Sequence, residues 1–113
     1  MQINKYTKGD VTVISISGTL DSNTSPQAQQ EILPFVNTAK KIVMDASKLE
    51  YISSAGLRTL LLVAKKLASQ GGKAILAGIS SEIKDIMKMT GFDHIFIFHD
   101  DTDKAITALG KEK

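Results

Sequence analysis

The chain has no cysteine and no tryptophan, only two prolines, and aromatic residues make up just 5% of its 113 positions. Without cysteine there are no disulfides, no thiolate metal site and no cysteine nucleophile. Few aromatics and 42% apolar content predict a core built on aliphatic packing. The longest uninterrupted aliphatic run, Leu60 to Ala64, is far short of the ~20 residues that span a bilayer. The opening segment Met1-Gln2-Ile3-Asn4-Lys5 lacks the apolar centre of a secretory signal, so a cytoplasmic location is expected. Charge of one sign is also missing: the net value is only +2, and the lysines are interspersed with acids, so nucleic acid is not an expected partner.

One domain with one core fits this length. Ile3 to Thr7 and Val11 to Ser17 are β-prone stretches around the turn residues Lys8-Gly9-Asp10, which predicts an opening antiparallel hairpin whose second strand ends at Gly18. A polar loop, Thr19 to Thr24, leads to Ser25-Pro26, read as the cap and first turn of a helix. Ala28, Ile32, Phe35 and Val36 form its apolar face, and Pro34 bends or ends it. Lys41 to Asp45 reads as a short buried strand.

Beyond it, Leu57, Leu60, Leu61, Ala64, Leu67 and Ala68 recur at helical spacing until Gly71-Gly72. Ser53 or Ser54 is placed to cap this helix, where unpaired amides and the positive dipole end favour an anion. Arg58, Leu62, Lys65, Lys66 and Ser69 fall on its opposite, solvated face. Lys73 to Ala77 predicts another strand, and Ser80-Ser81-Glu82 a helix with Ile83, Ile86 and Met87 inward, ended by Gly91. Ile95 to Phe98 reads as the last strand, and Asp100-Asp101 opens the last helix through Ile106 and Leu109. Strands alternating with helices imply a mainly parallel sheet.

The segment Asp45-Ala46-Ser47-Lys48-Leu49-Glu50-Tyr51-Ile52-Ser53-Ser54-Ala55-Gly56-Leu57 resembles the signature of the STAS domain, best known in bacterial anti-sigma factor antagonists. Gly18-Thr19-Leu20-Asp21 is similar to the Gly-x-Leu-Asp of the same family. Ala77-Gly78-Ile79-Ser80, Thr90-Gly91 and Leu109-Gly110 fit the pattern, so the resemblance covers nearly the whole chain. It implies a single STAS domain over residues 1–113: a mixed, mainly parallel sheet of four to five strands, about four helices and an opening hairpin.

In that family the serine two residues before the glycine is phosphorylated, and here that residue is Ser54. Ser53 stands where the antagonists usually carry aspartate, and Ala55 where they carry serine or threonine. The implied function is partner switching. Unphosphorylated, the domain binds an anti-sigma factor that is also a serine kinase; phosphorylation of Ser54 releases it, and a phosphatase resets the cycle. The implied contact surface is Asp21, Ser22, Asn23, Thr24, Ser53, Ser54, Ala55, Gly56, Arg58 and Leu62. An alternative is a STAS accessory subunit of a membrane transporter or lipid-transfer complex, with a permanent partner and no phosphate cycle. A scaffold role in a stress-sensing assembly would add self-association, which leaves a weak homodimer open.

Several residues carry two readings. Asp21 is a turn residue, or a polar contact beside Ser54. Arg58, four residues beyond Ser54, is in reach of a phosphate there, or pairs with an acid of the partner. Leu62, flanked by Arg58 and Lys65, is a lone exposed leucine or a small apolar anchor. His94 and His99 flank the last strand, but no Gly-x-Ser-x-Gly elbow accompanies them. No catalytic, metal or cofactor site is therefore expected. ATP and magnesium belong to the kinase.

Overall fold

The computed structural model describes residues 1–38, 41–91 and 95–110. Strand β1 (Gln2–Lys8) turns through Gly9 into β2 (Val11–Leu20), and the two pair antiparallel as expected. Then come α1 (Ser25–Val36), β3 (Lys41–Ile52), α2 (Ser54–Ser69), β4 (Lys73–Ala77), α3 (Ser81–Met89), β5 (Ile97–His99) and α4 (Thr102–Gly110). The sheet order is β1-β2-β3-β4-β5, with every pair after the hairpin parallel.

Each parallel step joins neighbouring strands through one helix. Crossovers of this kind are right-handed, so α1, α2 and α3 collect on one face, packing Leu60, Leu67, Ile83 and Met87 against Ile14, Ile16, Ile42 and Met44. Helix α4 closes the other face, where Ala105 and Leu109 meet Val11, Val13, Val43 and Ile75. This accounts for the near-continuous apolar reading of the inner strands, which are buried on both sides.

Three strands differ from expectation at their ends. Strand β2 runs past Gly18, which adopts a φ of 92° at a register shift, and ends at Leu20. Strand β3 does not stop at Asp45. Against β2 it carries one extra residue between Asp45 and Lys48 and another between Leu49 and Tyr51. These bulges put Ala46, Leu49 and Ile52 into the core at steps of three, so the two-residue alternation that marks a strand in sequence is lost. Pairing with β4 covers only Lys41 to Asp45, and the β2–β3 pair therefore continues past the end of β4. The last strand is shorter and later than predicted, because Ile95 and Phe96 precede it and Phe96 packs into the core from outside the sheet.

At the opposite end of the sheet Lys41 Nζ lies 3.0 Å from Asp10 Oδ2. The hydrogen bond to Lys41 and its charge hold the Asp10 carboxyl below its ordinary range. A lowered folded-state pKa stabilises the fold above the unfolded value, and the gain is lost as pH falls through the folded value. The aspartate is solvent-exposed, so the effect on stability is small. An NMR titration is expected to place the Asp10 midpoint below that of the Lys41→Met variant.

Candidate functional site

Parallel pairing aligns Leu20 of β2 with Ile52 of β3, so both strands deliver their following loops to the same place. The loop from Asp21 to Thr24 lies beside the mouth of α2, and the backbone joins them: Ser53 N donates to Leu20 O at 2.9 Å. Ser53 is extended and caps α2, its Oγ accepting from Gly56 N at 3.3 Å. Of the two serines it is therefore the structural one. Loss of such a cap costs about 1 kcal/mol; Ser53→Ala is expected to lower the thermal midpoint by a few degrees while leaving Ser54 accessible, read by circular dichroism.

Ser54 is the first residue of α2 and is exposed. No acid occupies the first turn of the helix, so the amides and dipole there are not neutralised from within. Ala55 is half-buried, and its carbonyl accepts from Thr59 Oγ1 at 3.3 Å. Gly56 is buried against the end of β2. A Cβ at that position would collide with the Leu20 carbonyl oxygen and lie 2.8 Å from Ile52 Cγ1 and 2.9 Å from Leu20 Cγ. Its side-chain hydrogen is what lets the helix mouth sit on the strand end.

The facing loop is held by Asp21. Its Oδ1 accepts from Asn23 N at 2.9 Å and Thr24 N at 3.1 Å, and its carbonyl accepts from Ser25 N at 2.8 Å. This is the turn reading of Asp21 in atomic form. Ser22 and Asn23 are exposed, Asp21 and Thr24 half-buried. Ser25 is not the cap of α1 but its first residue, with its Oγ donating to Asp21 O at 2.6 Å; Thr24 holds the cap position. The hydroxyl of Thr24 donates to Thr19 O instead of capping, at 2.9 Å. Helix α1 also continues through Pro34 to Val36.

The outer face of α2 presents Arg58, Leu62, Lys65, Lys66 and Ser69, all exposed. Leu62 keeps 42% of its surface in solvent. The inner stripe is rotated slightly from expectation. It comprises Gly56, Leu57, Thr59, Leu60, Val63, Ala64 and Leu67, whereas Leu61 is half-buried and Ala68 exposed. Thr59, 1% exposed, was not legible as a core residue. Its hydroxyl accepts from Gln29 Nε2 at 3.3 Å and so ties α2 to α1. A threonine at an inward position three residues after Gly56 was the available signal.

His99 lies at the end of β5, where its carbonyl accepts from Gly78 N at 3.1 Å; His94 lies outside the described residues. Among the described residues no group of three or more His, Cys, Asp or Glu is arranged to hold a metal. No helix there is long and apolar enough to cross a membrane.

Compared with known proteins, the chain matches the STAS domain over residues 2–105. It belongs to the STAS domain family. BtrV of Bordetella bronchiseptica, a protein named for anti-sigma factor antagonism, is 31% identical to this STAS domain over 86% of the chain and 84% of its own length. An anti-sigma factor antagonist from Mycobacterium paratuberculosis is 27% identical, with a TM-score of 0.88 over 97% of this chain and 94% of its own. The phosphorylated form of the Bacillus cell fate determinant SpoIIAA shares the fold, with a TM-score of 0.74 and 18% identity over 96% of this chain and 99% of its own. The five-stranded mixed sheet, four helices and opening hairpin are thus those of a STAS domain.

Proposed function

We propose that this STAS domain is a cytoplasmic anti-sigma factor antagonist: unphosphorylated, it binds an anti-sigma factor that is also a serine kinase, and phosphorylation of Ser54 by that kinase releases it. A phosphatase returns it to the binding form. The observation that carries the reading is the exposed Ser54 at the first turn of α2, beside the loop from Asp21 to Thr24. That placement suits a serine which must enter a kinase and also lie in a protein interface. It is supported by the antagonist names of the Bordetella and Mycobacterium relatives. The phosphorylated SpoIIAA provides a STAS fold that carries phosphate.

The interface comprises Asp21, Ser22, Asn23, Thr24, Ser53, Ser54, Ala55, Gly56, Arg58 and Leu62. Ser53, where many antagonists carry aspartate, spends its side chain on the helix cap. The acceptor therefore has a neutral neighbour, and the kinase must recognise it through the loop and the helix. Incubation with the serine kinase of the source genome and ATP, followed by mass spectrometry, is expected to place one phosphate on Ser54. Phosphate on neither Ser54 nor Ser53 would overturn the proposal.

A further inference from the structure

Helix α2 contains 16 residues and not one acid, although the chain as a whole has 12. Its three cations, Arg58, Lys65 and Lys66, are all exposed, and none forms an ion pair among the described residues. At about 100° per residue, Ser54, Lys65, Arg58, Leu62 and Lys66 fall, in that angular order, within an arc of roughly 120°. They form a strip about 18 Å long at a rise of about 1.5 Å per residue. Leu62 sits inside that strip with 42% of its surface exposed. A helix stabilised only for its own sake would gain from acids four residues before its lysines, and the sequence supplies none.

Resting on the reading above, we infer that this strip, including Lys65 and Lys66, selects the partner by charge: the docking surface on the anti-sigma factor is acidic around an apolar socket that receives Leu62. Unlike charges brought together steer the encounter and fix its register, and the central aliphatic residue supplies the contact that water is excluded from. The strip is a protein-docking surface. Three cations fall short of the four to eight that anchor a segment on anionic lipid, and it has no aromatic residue on which a base would stack.

The strip also explains where the phosphate acts. Its charge is +3, and a phosphoserine at position 54 brings about −1.5 to −2. That dianion stands one turn from Arg58, whereas the backbone positions of Lys65 and Lys66 lie three turns along the helix, about 16–18 Å by axial rise, about twice the ~8 Å Debye length at physiological salt. Phosphate therefore cancels the Arg58 end of the strip and sets a like charge against the partner, while the lysine end keeps its charge in both states.

The test uses the full chain and the purified anti-sigma factor kinase of the source genome, with affinity measured by calorimetry at about 50 and about 300 mM salt. The wild-type complex is expected to weaken at least ~10-fold between the two salts. The Lys65→Glu/Lys66→Glu double variant is expected to lose at least ~10-fold at the lower salt and to depend far less on salt. Because glutamate near a helix C-terminus disturbs the dipole, Lys65→Gln/Lys66→Gln is measured alongside and is expected to fall between, with an unchanged circular dichroism spectrum. A complex that forms equally well with the folded double variants, or is indifferent to salt, overturns the inference and leaves the antagonist reading standing. Flotation of the wild-type protein with phosphatidylserine vesicles overturns it in favour of a lipid surface. Absence of any wild-type complex with the kinase removes the antagonist reading, and the inference with it.

Discussion

Phosphoserine installed at position 54 is expected to leave the domain folded and to weaken its complex with the anti-sigma factor on the order of 100-fold. The two halves of this expectation come from different surroundings of one group. Within the domain, the phosphate stands at the exposed first position of α2, with no acid in that turn to repel it. The helix end favours it by about 0.3–1 kcal/mol. In a complex, a dianion must shed water against a surface chosen for binding cations, and opposed like charges there cost several kcal/mol. Every ~1.4 kcal/mol is a factor of ten, so about 3 kcal/mol suffices. Calorimetry with the unmodified and phosphorylated proteins reads the binding term, and a thermal melt reads the folding term. Ser54→Ala is expected to bind as the unmodified protein does. Equal affinity of the phosphorylated and unmodified proteins would eliminate the switch.

Gly56→Ala is expected to cost more stability than alanine substitution at Arg58, Leu62, Lys65 or Lys66 on the exposed face of the same helix. Helix propensity alone argues the other way, since alanine is favoured over glycine by about 0.8–1 kcal/mol inside a helix. Sterics decide the sign. The added methyl would collide with the Leu20 carbonyl oxygen, which already accepts from Ser53 N at 2.9 Å. Ile52 and Leu20 side chains, both fully buried, block any sideways relief. Overpacking costs about 1–3 kcal/mol and occasionally more, and a clash with a backbone oxygen backed by two buried side chains belongs at the upper end, so after the propensity gain the net loss is about 2 kcal/mol. At roughly 4 °C per kcal/mol for a domain of this size, the thermal midpoint falls by several degrees. The same variant should weaken partner binding, because the shift separates the Asp21 loop from the mouth of α2. A midpoint equal to or above that of the wild type would show that the helix can slide off the strand end without penalty.

How far the sequence disclosed this arrangement depends on whether a residue obeyed a local period. The hairpin, the serine cap of α2, the helix that opens at Ser80-Ser81-Glu82 and the outward set from Arg58 to Ser69 follow rules confined to a few neighbouring residues, and they are found where those rules place them. Ser53 and Ser54 were equivalent on spacing; only the backbone assigns the cap to the first and leaves the second free. The far half of β3 was missed because its bulges replace alternation by steps of three. The rotated stripe of α2, with Val63 and Thr59 in and Ala68 out, is a matter of tertiary packing, in which Gln29 of α1 reaches the Thr59 hydroxyl, and no period within α2 encodes it. Asp21 could be named from a pattern, but its grip on Asn23 and Thr24 is a matter of loop geometry that no period encodes.

Because β2 and β3 outrun β4, the two loops that follow them are carried on a promontory of the sheet instead of being sunk between its strands. An approaching protein meets that headland first and needs no pocket to open. A chemical mark placed on its crest is felt at the moment of touch, so the signal requires no relay through the body of the domain.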